Sequence, residues 1–292
     1  MASFNDFYQL TKPRLSFLSL FSALIGFAIA PKSAVPSWAL LYTVLVSLGI
    51  ACSAGGAAVL NQWMEHRLDG LMERTKDRPI PAGRVRPVTA LCFGLLLSGT
   101  GLGILYGLSS PLTGSLALLT LLSYLLLYTP FKKLSPINTL IGAFPGALPP
   151  LIGWSAAEGS LSLMAGLLFA LLFFWQMPHF YALAWLYRED YASAGFKMLT
   201  AIDPKGTAVG QRSFIYTLIL VAITLLPFYF GFTSLIYLIA VSALNLYFLF
   251  RAYAFMRATD KGTQARNLFI ASILYLPLLL LLLCLDSAVF NF

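Results

Sequence analysis

The stretch NQWMEHRLDGLMERTKDRPIP, residues 61–81, separates two runs of about 20 apolar residues and so marks where the chain leaves an apolar environment. Asn61, Glu65 and Asp69 are spaced four apart in it, so on a helix they share one face. Carboxylates one turn apart repel each other. A divalent cation would relieve that repulsion, because hard cations take carboxylate and amide oxygens as ligands. The spacing therefore indicates a candidate metal site.

Basic residues follow these acids closely. Arg74, Lys76 and Arg78 suit the phosphate groups that a bound Mg²⁺ would carry. The alternative is a charged loop at the membrane surface in which the acids pair with the same bases. The spacing by itself leaves both interpretations open.

The composition is that of a membrane protein. Of 292 residues, 59% are hydrophobic and 10% are charged, and the mean hydropathy is +0.81. Soluble domains carry about 25% charged residues. The net charge of +8 lies in short loops between apolar runs, so we expect no nucleic-acid partner. The three cysteines stand singly in apolar runs and indicate neither a disulfide framework nor a metal cluster.

The sequence predicts one all-α domain over residues 1–292, with about nine transmembrane helices in a bundle. The amino terminus lacks the pattern of a cleavable signal, so the first apolar run is expected to remain as a span. Prolines 145, 149 and 150 are expected to bend or break the fifth span, and Pro178 the sixth. The predicted spans are residues 14–30, 38–60, 88–108, 112–128, 137–156, 161–187, 213–231, 234–253 and 267–285.

The loop charges predict the orientation of the bundle. Every Lys and Arg except Lys32 falls on one side of these spans, which the positive-inside rule makes cytoplasmic. The amino terminus is then inside and the carboxyl terminus outside. The acids of the loops after spans two and six lie on the cytoplasmic side with the bases.

Two further polar clusters are predicted on this side. In the loop after span six, Asp190 could supply another carboxylate, and Arg188 and Lys197 could contact phosphate. Lys132 and Lys133 end the fourth span and become phosphate ligands only if residues 61–69 hold a diphosphate. The alternatives are an ordinary solvated loop and a pair of lysines that only determine topology.

His179 is the one ionisable side chain placed well within a predicted span. Such residues are costly in a membrane and by default suggest function. A neutral imidazole can ligate haem iron, but it can equally form a hydrogen bond to a neighbouring helix. Neighbouring aromatic residues could line a dry chamber around it: Phe173, Phe174, Trp175, Phe180, Tyr181 and Trp185.

Several motifs occur in a characteristic order. They are NQWME at 61–65 with Asp69, Met72, Arg74-Thr75 and Arg78-Pro79; YTP at 128–130 with Lys132-Lys133; Gly142-Ala143 to Gly153-Trp154; WQMPHF at 175–180; and EDY at 189–191 with Ala194 and Met198-Leu199. This pattern resembles the protohaem IX farnesyltransferases (haem O synthases), a branch of the UbiA-type intramembrane prenyltransferases. The resemblance covers residues 12–212, and WQMPHF is its most discriminating part.

The resemblance implies nine helices around a cavity open to lipid, and Mg²⁺-dependent transfer of farnesyl from farnesyl diphosphate to the 2-vinyl group of haem b, giving haem O. It implies that Asn61, Glu65, Asp69 and Asp190 hold Mg²⁺. The bases implied to neutralise the leaving diphosphate are Arg74, Arg78, Lys132 and Lys133. It further implies a bacterial cytoplasmic membrane and contact with haem A synthase or a terminal oxidase.

One departure from the wider family concerns the second motif, where an Asp is replaced by Ala194. A second metal ion held in the usual way is therefore in doubt, with Glu189 and Asp203 as possible substitutes. Two rival functions remain. A sister enzyme would prenylate an aromatic acid or quinone precursor and would not need His179. A transporter would place its ion site near mid-bilayer, whereas these acids gather at one end of the bundle.

Overall fold

The computed structural model describes residues 2–290, and this part of the chain is all-α. It contains eight helices long and apolar enough to cross a membrane, or nine when the bent pair Phe4–Leu10 (α1) and Pro13–Ile29 (α2) is counted as one span. The prediction of about nine membrane helices is confirmed. The protein is an integral membrane protein.

The remaining helices follow in chain order. They are Ala39–Asp69 (α3), Pro87–Leu108 (α4), Pro111–Leu122 (α5), a π-helical turn at Ser123–Tyr128, Thr129–Leu134 (α6), Asn138–Ala147 (α7), Pro149–Glu158 (α8), Leu163–Leu186 (α9), Arg188–Ser193 (α10), Leu199–Ile202 (α11), Thr207–Tyr229 (α12), Leu235–Arg257 (α13) and Lys261–Phe290 (α14). The short links between α4 and α5 and between α12 and α13 form two helical hairpins.

The prolines act differently in the two spans where breaks were predicted. The fifth span divides at Leu148 into α7 and α8, because Pro149 and Pro150 lack the N–H groups that would continue α7. Of the two outcomes expected for Pro178, a bend or a break, the break does not occur. Pro178 lies inside the continuous helix α9, where it is buried among neighbouring helices that tolerate one lost backbone hydrogen bond.

Glycines allow α2 and α8 to pack backbone against backbone. A methyl group on Gly26 would overlap the carbonyl oxygen of Pro150, and one on Gly153 would overlap that of Ala23. Such close approach is how small residues join membrane helices. It fixes α2, which begins beside the candidate site, against the broken fifth span.

The buried apolar residues form two large clusters. The larger one joins α9, α12, α13 and α14. The other lies among α2, α3, α4, α5 and α8, and includes Tyr42, Ile50, Leu105 and Ile152. The candidate site lies at the end of α3, on the side of this second cluster that faces the charged loops.

Candidate functional site

The three polar residues of α3 lie in its last turns, because this helix continues nine residues beyond the span end expected at Leu60. They face the interior of the bundle: Asn61, Glu65 and Asp69 are 1%, 6% and 1% exposed. Buried carboxylates need partners. The predicted common face is therefore present and closed off from solvent.

Each of these three residues is held by a different cationic side chain. Arg78 Nη1 donates to both Asp69 oxygens, at 2.8 and 2.7 Å. Lys132 Nζ donates to both Glu65 oxygens, at 2.8 and 2.9 Å. The pairing of acids with the bases of the same stretch, one of the two interpretations left open by the sequence, is observed for Asp69 and Arg78, whereas Glu65 pairs with Lys132 of another helix.

Asn61 completes this network. Its Oδ1 accepts a hydrogen bond of 2.8 Å from Lys12 Nζ, and its Nδ2 donates to Glu65 Oε2 at 3.0 Å and to Thr129 Oγ1 at 3.1 Å. Sequence reasoning missed Lys12 as a site residue and counted it among the topology-determining bases. It lies 49 residues from Asn61 in sequence, so no local spacing could reveal the contact.

The backbone at Lys12 has an unusual conformation. It occupies the left-handed region, with φ of 46° and ψ of 61°, at the 52° bend between α1 and α2. A side chain with a Cβ pays a conformational cost there. Gln62 Nε2 donates to the Leu10 carbonyl oxygen at 2.6 Å and ties this bend to α3.

A cavity of about 350 Å³ lies beneath the polar residues, between α2, α3, α5 and α9. Lys12 lines it and at the same time contacts Asn61, so the polar cluster and the cavity are continuous. Its walls carry small residues of α2 and α3, such as Ser19 and Ala57. The expected chamber below the acids is present.

The aromatic lining was predicted only in part. Trp175 and Phe180 line the cavity, together with Tyr124 and Tyr128, which were not predicted as walls. The prediction was wrong for four residues that lie on the other faces of α9 and pack into the larger core cluster instead. These are Phe173, Phe174, Tyr181 and Trp185.

The loop after α9 packs on the loop after α3. Ser193 Oγ lies 3.2 Å from the Leu71 carbonyl oxygen, and Met72 packs with Ala194 and Phe196. Ala194, where the wider family has an acid, is therefore a buried apolar contact. The guanidinium of Arg74 lies over the rings of Tyr187 and Tyr191, at 4.8 and 5.9 Å from their centroids.

Other predicted site residues are not drawn into this network. Arg188 lies over the Trp185 ring and contacts Glu189 at 3.3 Å, and Lys133 and Lys197 are exposed. Asp190 is half-buried on α10. Within residues 2–290, no three Asp, Glu, His or Cys side chains gather as a metal site, so the role of Asp190 stays a prediction.

Neither substitute for the missing acid is arranged to hold a metal ion. Asp203 accepts hydrogen bonds from the backbone N–H groups of Thr207, at 3.1 Å, and Val209, at 2.8 Å, at the start of α12. The Glu189 side chain is 89% exposed. Asn61, Glu65 and Asp69 carry the kind of oxygen donor that a hard divalent cation takes, and their role as metal ligands stays a prediction.

His179 lies on the cavity wall and contacts α14. Its Nδ1 is 2.7 Å from Ser272 Oγ, and its ring stacks between Trp175 and Phe269. Ser272 donates its single hydroxyl hydrogen to the Phe269 carbonyl oxygen at 2.6 Å, so the hydrogen between Ser272 and His179 belongs to Nδ1. Nε2 then carries a lone pair. The hydrogen bond to a neighbouring helix is present, and haem ligation stays a prediction.

Comparison with known proteins gives three relevant matches. The model of the UbiA prenyltransferase family matches residues 19–273. Protoheme IX farnesyltransferase from Opitutus terrae is 47% identical over 285 residues, covering 98% of this chain and 95% of that protein. A structure of digeranylgeranylglyceryl phosphate synthase superimposes with a TM-score of 0.79 at 17% identity, covering 97% and 98% of the two chains.

A second solved structure shares the fold. It is a UbiA homologue from Archaeoglobus fulgidus bound to DMAPP and Mg²⁺, with a TM-score of 0.69 at 15% identity, covering 95% of this chain and 99% of that one. At such low sequence identities the two solved structures show only that the fold is shared. The sequence match over nearly the full length of the chain shows the closer relationship.

Proposed function

This chain belongs to the UbiA prenyltransferase family, and we propose from this premise that it transfers a farnesyl group from farnesyl diphosphate to the 2-vinyl group of haem b, giving haem O and diphosphate. The relative from Opitutus terrae, named for farnesyl transfer to protohaem, supports this choice of substrates. The observation that carries the proposal is Lys12, which joins a buried cluster of acids and bases to an apolar cavity. The charged diphosphate would occupy the cluster, and the apolar farnesyl chain would occupy the cavity.

The diphosphate binds among the cationic side chains that, without it, bond to the polar residues of α3. Lys12, Arg78 and Lys132 each bond an oxygen-bearing side chain of this helix, within 2.9 Å. A diphosphate offers them stronger, charge-assisted partners. When they turn to its oxygens, Asn61, Glu65 and Asp69 are released to act as metal ligands. The acid–base pairs and the metal site are thus two states of one cluster.

A magnesium ion bound with the diphosphate supplies positive charge that stabilises the leaving group. The chain's own contribution is to hold that group in place and neutralise it. Lys132 pairs with Glu65 and Arg78 with Asp69, one turn apart on the same face of α3, so both cations can contact a diphosphate bound along this face. Stabilising charge that develops in the transition state is the main task of such a site.

The cavity protects the reacting carbon atoms. The departing diphosphate leaves an allylic centre with positive character, which water would quench. Tyr124, Tyr128, Trp175 and Phe180 present aromatic rings to this space, and ring faces attract cations. Attack by a vinyl group needs no strong general base. The Nε2 lone pair of His179 suits contact with the haem iron.

The membrane orientation follows the loop charges. The amino terminus and the cluster at the end of α3 face the cytoplasm, and the carboxyl terminus faces outward. The bacterial cytoplasmic membrane and a haem A synthase or terminal oxidase as receiving partner are part of this proposal.

The decisive experiment supplies purified protein with haem b, farnesyl diphosphate and Mg²⁺ and looks for haem O by mass spectrometry. Formation of haem O that requires all three supports the proposal. Prenylation of an aromatic acid by the same preparation, without haem O, would assign the chain to the sister branch. Asp69→Asn keeps the size of the side chain and is expected to abolish turnover; full activity would refute the metal assignment.

A further inference from the structure

The Asn61 amide is held in one orientation by three partners. Its Nδ2 donates one hydrogen to Glu65 Oε2, at 3.0 Å, and the other to Thr129 Oγ1, at 3.1 Å. Its Oδ1 accepts a hydrogen bond from Lys12 Nζ at 2.8 Å. Hard cations bind the oxygen of a side-chain amide and not its nitrogen, so the orientation of this amide decides whether Asn61 can act as a ligand.

The Thr129 hydroxyl can only accept a hydrogen bond from Asn61. Its single hydrogen goes to the Tyr124 carbonyl oxygen at 2.9 Å, which leaves the lone pairs of Oγ1 for the amide. If the amide were turned over, Oδ1 would face those lone pairs with no hydrogen between the two oxygens. Thr129 is buried like Asn61, so a lost contact between them is not readily replaced by water.

A local irregularity of the helix sets the direction of this hydroxyl. In a regular α-helix, a threonine hydroxyl that bonds to its own helix donates to a carbonyl oxygen three or four residues earlier. The π-helical turn Ser123–Tyr128 changes this pattern, because both the N–H and the hydroxyl of Thr129 donate to the Tyr124 carbonyl oxygen, five residues earlier. Such turns are frequent at functional sites. The turn therefore fixes the Thr129 lone pairs toward Asn61.

The other two partners of the amide leave it when the substrate binds. In the proposed function, Lys12 turns to the diphosphate and Glu65 is released to the metal ion, whereas the uncharged Thr129 has no such alternative partner. We propose that Thr129 is a positioning residue, which keeps Asn61 Oδ1 facing the side from which Lys12 departs and so available to a divalent cation. This inference rests on the proposed function.

The test measures the dissociation constant of inorganic diphosphate for the purified protein by calorimetry, with and without Mg²⁺. The ratio of the two constants reports the contribution of the metal ion and requires neither prenyl chain nor acceptor. Thr129→Val removes the hydroxyl at nearly constant volume and should lower this ratio about tenfold, because the amide is then free to turn its nitrogen to the metal ion. The constant without Mg²⁺ should not change, since the cations that bind diphosphate are intact.

Two further variants control for a merely structural effect. Thr129→Ser keeps the hydroxyl and should keep the ratio of the wild type. Thr217→Val is the matched control, because Thr217 is a buried threonine of α12 whose hydroxyl donates to the Ser213 carbonyl oxygen of its own helix. It should leave both constants unchanged. Thr129→Ala removes the same hydroxyl in a smaller side chain and serves as the test should the valine variant not fold.

A double substitution shows whether Thr129 acts through Asn61. In an Asn61→Ala background, Thr129→Val should lower the ratio no further, because the amide that it positions is absent. The same tenfold loss in that background would overturn the proposal. A wild-type ratio in Thr129→Val or Thr129→Ala would overturn it as well.

These binding measurements separate the inference from the proposed function. If the Mg²⁺ contribution is lost in Thr129→Val but the wild type forms no haem O, the acceptor is wrong and the role of Thr129 stands. If the wild type and Thr129→Val form haem O with the same Mg²⁺ dependence, the function stands and the role of Thr129 is refuted.

Discussion

Replacing Arg78 by Met should weaken the fold and strengthen metal binding at the same time. The Arg78 side chain is 25% exposed and that of Asp69 is 1% exposed, with both carboxylate oxygens bonded to Nη1. Removing one partner of a buried ion pair costs about 3–5 kcal/mol of stability, because the other charge stays buried alone. We expect the lower end of that range, since Arg78 is partly reached by solvent.

The same change frees Asp69 for a cation. A hydrogen bond to a charged group contributes about 1.5–3 kcal/mol, so without diphosphate the variant should bind Mn²⁺ about tenfold or more tightly than the wild type. Added Mn²⁺ should also recover part of the lost stability. Thermal unfolding in detergent and electron paramagnetic resonance of Mn²⁺ measure the two effects.

Lys76→Met provides the control for this experiment. Lys76 pairs with Glu73 at 2.6 Å, but both side chains are largely exposed, at 47% and 78%. Exposed pairs contribute little, so neither stability nor Mn²⁺ affinity should change. Equal unfolding midpoints and equal Mn²⁺ affinities for the two variants would refute the exchange of partners between the acids, the bases and the ligand.

Three other perturbations test separate parts of the structure. Lys12→Met should raise KM for the prenyl diphosphate and lower kcat, because it removes a cation that reaches the cavity and Asn61; steady-state kinetics in which both constants match the wild type would contradict this placement. His179→Ala should change the absorption spectrum of bound haem and lower haem affinity, and an unaltered spectrum and titration would rule out ligation by Nε2. Gly153→Ala should destabilise the bundle by about 1–3 kcal/mol, since the new methyl group overlaps the Ala23 carbonyl oxygen; an unfolding midpoint equal to that of Gly99→Ala, which meets open space, would contradict the close packing of α2 and α8.

Local sequence pattern predicted the helices and part of the site. Runs of about 20 apolar residues specify membrane spans because a helix of that length crosses the apolar core of a bilayer. The spans are helical because the backbone polar groups must be satisfied within the segment. The spacing of Asn61, Glu65 and Asp69 specified a common face, which the structure has. The same local reasoning left open whether Pro178 bends or breaks its span, and the structure keeps α9 continuous through this residue.

Partners distant in sequence could not be read from the chain. Lys132 meets Glu65 across 67 residues and Lys12 meets Asn61 across 49, and neither separation has a local signature. Several bases on one side of the membrane looked equivalent, yet Lys133 and Lys197 remain exposed while Lys132 is drawn into the site. Which face of α9 supplies the aromatic wall was likewise decided by packing.

The sequence by itself determined a membrane-embedded, all-α chain with oxygen ligands and cations at one end, because hydropathy and helical spacing act over a few turns. Only the tertiary structure decided which cation holds which ligand, and which side chains line the open space beneath them. Those outcomes depend on how the helices pack together, since the contacts join residues that are brought close only by the folded bundle.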